Sequence, residues 1–138
     1  MKKIVFLSLM IFAFIGCSDD DVPVFSFETL PVSNIQGIPE VFVVGDPVTL
    51  DLSYFRPTTC HGFEGFEVQT VTPTLINIAV ITRFVEGRST CTDLTDEELT
   101  ASLIFSPIVS GEVTLNFLSG SDENGEPTFV TFNVPVIE

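Results

Sequence analysis

From residue 24 to the C-terminus, apolar and polar residues alternate in short runs, and no amphipathic stretch of helical period outlasts a turn or two. Val48, Leu50, Leu52 and Tyr54 alternate with Thr49, Asp51 and Ser53, and Ile76, Ile78, Val80 and Phe84 share one face of the run 75–85. Further sets are Leu99, Ala101, Leu103 and Phe105, then Val113, Leu115 and Phe117, then Val130, Phe132, Val134 and Val136. Weaker runs lie at 24–30, 40–44 and 65–71. Gly45-Asp46-Pro47, Thr72-Pro73-Thr74, Ser106-Pro107 and Ser110-Gly111 punctuate them as turns, where Gly frees φ and Pro fixes it. The one helical signal, Thr95-Asp96-Glu97-Glu98, is a capping-box pattern before Leu99 and reads as a single turn inside a loop. The pattern predicts an all-β domain over 24–138, an antiparallel β-sandwich with an immunoglobulin-like Greek key of about seven strands. With no Trp and neither Cys60 nor Cys91 in mid-strand, the likeness to immunoglobulins is one of architecture alone.

The first 23 residues follow a different rule. Lys2 and Lys3 precede a run from Ile4 to Ile15 that is apolar except for Ser8, and Gly16-Cys17 closes it. A basic start, a short apolar middle and a small residue at the exit make a secretory signal. As a helix the run reaches only ~18 Å, short of a bilayer core of ~30 Å, so it does not span. Phe14-Ile15-Gly16-Cys17 resembles the lipobox of bacterial lipoproteins, with Phe14 where leucine is most usual. The resemblance implies cleavage before Cys17, a diacylglycerol thioether on Cys17 and an acylated new amine, which is ample for stable anchoring. Ser18-Asp19-Asp20-Asp21 looks like the acidic export signal of surface lipoproteins of Bacteroidota. Residues 1–16 are thus expected to be a lipoprotein signal peptide, 17–23 a lipidated cysteine and acidic tether, and the location the outer membrane, exposed at the cell surface.

Cleavage there leaves 122 residues, enough for one domain. Both lysines leave with the signal, so Arg56, Arg83 and Arg88 face 19 acids, a formal net charge of −16 with His61 neutral. Phosphate backbones repel such a polyanion, which excludes nucleic acid as a partner. The membrane is reached through the lipid, and a basic protein patch or a divalent cation fits the charge. In an oxidising compartment the remaining even pair, Cys60 and Cys91, reads as a disulfide. If consecutive strands reverse direction, the loops 56–64, 86–98 and 119–127 share one end, here called upper, and the turns 45–47, 72–74 and 106–111 share the lower end. Cys60 and Cys91 fall in the first two upper loops, which the topology makes neighbours. The upper loops hold nine acids: Glu64, Glu86, Asp93, Asp96, Glu97, Glu98, Asp122, Glu123 and Glu126. A hairpin at 31–37 would start the tether at the lower end and point these acids away from the membrane. A single strand switching sheets would do the reverse, and the sequence leaves both open.

Candidate chemistry is sparse. One histidine, no lysine after the signal, no Gly-rich phosphate loop and no nucleophile elbow leave no enzyme signature and no cofactor call. Asp122, Asn124 and Glu126 present oxygens at alternate positions, as a calcium loop would, but lack the glycine and distal glutamate of an EF-hand. They read as a polar hairpin loop turning at Asn124-Gly125. Sugar platforms use exposed Trp or Tyr, whereas here Tyr54 falls on an apolar face and most phenylalanines fit inward positions. The run from Arg56 to Phe63, Cys91 and the closing "SGEVTLNFLSGSDENGEPTFVTFNVPV" look like small surface lipoproteins of flavobacteria, which supply no activity to carry over. The expectation is a lipid-anchored, non-catalytic binding or structural module whose upper loops contact a protein or cation. A lipid-anchored inhibitor or accessory subunit of a surface enzyme or secretion complex is the alternative, and a hydrolase stands behind both.

Overall fold

The computed structural model describes residues 23–87 and 90–138, so Cys17, Ser18, Asp19, Asp20, Asp21 and Arg88 lie outside the described residues. The alternating runs form nine strands: β1 (Phe25–Leu30), β2 (Asn34–Gln36), β3 (Phe42–Val43), β4 (Val48–Phe55), β5 (Gly62–Thr72), β6 (Leu75–Val85), β7 (Glu98–Phe105), β8 (Gly111–Ser121) and β9 (Pro127–Ile137). The described residues contain no helix. At the expected turn 95–98, Glu97 instead holds Arg56 and Glu98 opens β7.

Two sheets pack face to face. The larger has six strands, β1, β3, β5, β6, β8 and β9; the smaller has three, in the order β2-β4-β7. β5 lies along one side of β6, while the other side of β6 is shared by β1 above and β8 below. The β-sandwich expectation is met, with two parallel ladders, β6–β8 and β3–β9, among antiparallel ones. The β6–β8 ladder has a simple cause: β7 crosses to the small sheet and returns the chain to the lower end, so β8 ascends beside β6. The immunoglobulin-like Greek key is not established by this pairing.

Alternation puts Leu50, Leu52 and Tyr54 of β4 against Ile76, Ile78 and Val80 of β6 and Val113, Leu115 and Phe117 of β8, all buried. Burying each of the larger ones stabilises the fold by roughly 1.5–3 kcal/mol. On β9 the same parity leaves Val134 and Val136 buried but Val130 exposed, because the three-stranded sheet does not extend over it. Phe25, Phe27, Phe55, Phe63 and Phe129 are also at least partly exposed, more accessible phenylalanines than the pattern implies.

The N-terminal strand resolves the polarity. β1 is antiparallel to β6 and β2 is antiparallel to β4, so both descend and no hairpin forms at 31–37. Between them the chain steps from one sheet to the other: the Val32 amide donates to the Leu118 carbonyl at 2.7 Å and the Ser33 amide to the Ser53 carbonyl at 2.8 Å. Leu30 and Val32 are buried on either side of Pro31. The described chain therefore begins at the upper end, beside the loops that hold Cys60 and Cys91.

Those cysteines are bonded, with Cα atoms 5.4 Å apart. The loops they join pair along their backbones, with Thr59 donating to Thr92 at 3.0 Å and Leu94 to Pro57 at 2.9 Å. Replacing both cysteines by serine should lower stability by ~2–5 kcal/mol, a fall in Tm on the order of 10–20 °C by circular dichroism, while the β signal persists at low temperature. An unchanged Tm would mean that the loop pairing alone holds the upper end.

A second test concerns Gly37, which follows β2 at φ +87°, where an added Cβ would lie 2.4 Å from the Thr49 carbonyl oxygen. Gly45 has a similar φ of +81° with open space around it. Gly45→Ala should cost only the left-handed conformation, ~1–2 kcal/mol. Gly37→Ala should cost clearly more, because a backbone oxygen cannot move aside without breaking the β2–β4 pairing. Equal losses in urea unfolding would refute the close approach.

Candidate functional site

The inward side chains of β5 fall in size along the strand. Phe63 and Phe66 pack edge to face with ring centroids 5.1 Å apart, and Phe63 approaches Tyr54 at 6.2 Å, filling the upper part between the sheets. Below them Val68 and Thr70 line one cleft with Leu103 and Phe105 of β7. The cleft, of about 280 Å³, is bounded by these four with Ile76, Ile108 and neighbouring turn residues. It is largely apolar, and its rim carries Ile104 and Ile108 at 71% and 74% exposure. Among the described residues β5 is hydrogen-bonded to β6 alone and β7 to β4 alone, so two unpaired strand edges flank the opening. No motif pointed here. The only sequence signal is the step from Phe66 to Val68 and Thr70, and it has meaning only once β5 is known to lie at an edge.

The upper acidic loops are smaller and more occupied than expected. Strand growth shortens 119–127 to a tight turn at 122–126, where Asp122 Oδ1 accepts from the amides of Asn124 at 2.8 Å and Glu126 at 2.9 Å. That carboxylate closes the hairpin. Glu97 receives the Arg56 guanidinium at 2.7 and 2.8 Å, Glu64 pairs with Arg83 at 3.4 Å, Glu98 accepts from Ser33 at 2.6 Å, and Glu86 accepts from Ser26. Among the described residues no group of three or more His, Cys, Asp or Glu is placed to hold a metal ion. Five of the nine acids in these loops, Glu64, Glu86, Glu97, Glu98 and Asp122, thus have partners within the fold.

His61, next in sequence to the bonded Cys60, is buried. Its Nε2 lies 2.8 Å from Glu28 Oε2, its Nδ1 lies 2.8 Å from Thr58 Oγ1, and its ring stacks on Phe84 with centroids 4.8 Å apart. The Thr58–His61–Glu28 chain has the order of a nucleophile relay. Its geometry, however, anchors the disulfide-bearing loop onto β1: the Thr58 hydroxyl also accepts from the Cys60 amide at 3.2 Å, and Thr58 pairs with Asp93 across the two loops. Sequence reasoning missed this anchor because Glu28 and Phe84 reach His61 only through the β1–β6 pairing.

The outer face of the large sheet carries a row of amides and hydroxyls. Gln69, Asn77, Asn116 and Thr131 stand opposite one another across β5, β6, β8 and β9. Asn116 donates to Asn77 at 3.0 Å and accepts from Thr131 at 2.7 Å, a lateral tie that stiffens the sheet.

Burial pushes the Tyr54 phenol above its ordinary pKa, with the Arg56 guanidinium partly opposing. A raised folded-state value means that the neutral phenol is favoured by folding. The contribution is therefore whole below pH ~10 and is lost as pH rises from ~10 through the folded value. The described residues contain no lysine, and Cys60 and Cys91 are bonded, so this phenol should govern the alkaline limb of stability. Urea unfolding from pH 8 to 12 should show a fall that disappears in Tyr54→Phe. A fall of the same size in that variant would contradict the assignment.

Compared with protein-family models, with curated proteins and with solved structures, the chain matches none, and the functional reading therefore rests on this geometry.

Proposed function

We propose that this protein is a lipid-anchored, non-catalytic binding module of the outer cell surface, and that the side opening between β5 and β7 is its contact surface. The observation that carries the reading is an apolar cleft left unfilled between two unpaired strand edges, with Ile104 and Ile108 exposed on its rim. Soluble domains commonly cover or blunt such features, and contiguous exposed apolar surface marks sites of interaction.

Orientation supports the same choice. Cys17 precedes Pro23 by six residues, so a lipid on Cys17 would lie within ~20 Å of the upper end even with the chain fully extended. The acidic loops then sit near the membrane, and the lower-lying opening turns outward toward other molecules. A protein partner fits this surface better than a divalent cation. The accessory-subunit reading draws on the same opening, which suits a seat in a larger assembly. No observation favours the hydrolase.

Cys17→Ala should abolish acyl labelling and membrane retention, and unchanged labelling would sink the lipoprotein reading. Replacing Asp19, Asp20 and Asp21 with alanine should leave labelling intact but reduce protease accessibility on whole cells; equal accessibility would reduce the acids to a spacer. A photo-cross-linking side chain placed at Ile104 on intact cells should capture a discrete partner, whereas one placed at Asp96 on the upper end should not. Capture from Asp96 alone would return the contact surface to the loops.

A further inference from the structure

Resting on that reading of the side opening, we infer that the partner docks by strand addition along β5. It would present an extended segment with apolar residues on the side facing the cleft and basic residues on the other. β5 is eleven residues long and contains neither lysine nor proline. Edge strands are ordinarily protected by lysine, proline, shortness, bulges or a covering segment, because their unpaired amides and carbonyls recruit other chains. β5 has bulges only near its two ends, between Phe63 and Gly65 and between Thr70 and Thr72. Six residues of regular strand, 65–70, lie between them, about 20 Å of edge at ~3.3 Å per residue.

The side chains of this stretch say what would lie beside it. A strand added next to β5 continues the pleat, so its residues alternate between the two faces of the large sheet. Those on the inner face would lie over the cleft left by Val68 and Thr70 and meet Leu103 across it, which calls for apolar side chains. Those on the outer face would stand beside Glu67 and Gln69, both exposed, in a domain whose charge is strongly negative. That combination calls for lysine or arginine. Exposed Val68, 45% accessible at the middle of the stretch, would be covered by the new strand.

A second copy of this chain fits poorly as the occupant. Two β5 edges pairing antiparallel about an axis normal to the sheet would place the two upper ends, and so the two tethers, at opposite ends of the dimer. Copies anchored in one membrane could not both reach it. A shared sheet would also bring together two domains of like charge.

The test uses the mature protein as isolated from producing cells, with random twelve-residue peptides displayed for selection against it. The expected result is a family of binders alternating apolar with polar residues, lysine or arginine among the latter. Hydrogen exchange with a selected peptide bound should show at least tenfold slowing of amides within 65–70 and none in the 122–126 turn. Val68→Lys, which installs the protection that this edge lacks at an exposed and hence tolerant position, should weaken binding at least tenfold. Thr131→Lys on β9 should leave binding unchanged. Peptides without alternation, protection confined to other strands, or unaltered binding to Val68→Lys would each overturn strand addition. A monodisperse dimer in light scattering that Val68→Lys dissociates would overturn it in favour of a second copy. If strand addition fails while the cross-linker at Ile104 still captures a partner, the binding-module reading stands without this mode.

Discussion

The chain first crosses between the sheets at Pro31, and that crossing governs much else. Leu30 and Val32 are buried at either side of Pro31, and the next two backbone donors are divided between the sheets, Val32 to Leu118 and Ser33 to Ser53. Proline suits the step because it offers no amide that would need a partner there. One segment thereby belongs to both layers. It fixes which end of the sandwich the chain leaves from, and it commits β1 to the upper half of β6. β8 pairs with what remains of that side, the residues 75–78. With β1 and β8 sharing that side of β6, the large sheet has six strands against the three of the small one.

Width is what opens the site. Six strands facing three cannot all be covered, and the uncovered margin falls at β5 on one side and at upper β9 on the other. At β5 the chain fills the upper margin with Phe63 and Phe66 and leaves the lower margin to Val68 and Thr70. On β9 the exposed Val130 marks the corresponding shortfall, but there the amide and hydroxyl row through Asn116 and Thr131 occupies the outer face. The disulfide, the His61 anchor and the Arg56–Glu97 contact all lie at the upper end. They make that end rigid, which suits a base more than a binding surface. A partly exposed ion pair such as Arg56–Glu97 adds little by itself; its use here is to hold two disulfide-linked loops in register with the backbone contact from Arg56 to Glu97 at 3.0 Å.

Much of the fold was legible because alternation is a local signal. The runs 48–55 and 75–85 became β4 and β6 without change, and the neighbouring loops implied by reversing strands are where Cys60 and Cys91 bond. The difficulties arose where long-range pairing decides. A hairpin and a sheet-switching strand have the same pattern over 24–37, and only the partners of β1 and β2 distinguish them. Ser119, Gly120 and Ser121 read as loop because they are small and polar, yet they extend β8 through a bulge opposite Thr128. Thr95 to Glu98 carried a helical capping pattern, but Arg56, brought near by the β4–β7 pairing, took Glu97. The site was the least legible part, since a cleft depends on how much of one sheet the other covers, and no residue type encodes that.

An unprotected edge poses its own difficulty, because strand edges that recruit a partner also recruit copies of themselves. Two features of this chain bear on that conflict without closing the edge. The first is charge: the chain carries 19 acids against five lysines and arginines, so the net charge opposes the approach of two copies, though ~10 Å screening confines the effect to close range. The second is attachment. If Cys17 carries lipid, all copies stand with the disulfide end toward one membrane, and the antiparallel edge pairing that would join them requires one to be inverted. Lysine or proline within β5 would have prevented aggregation by removing the edge as a binding surface as well. Under the proposed anchoring, a tether and a net negative charge would leave it available to a partner that is extended and basic. The acid-rich composition and the bare edge thus have a common explanation, which neither has when considered alone.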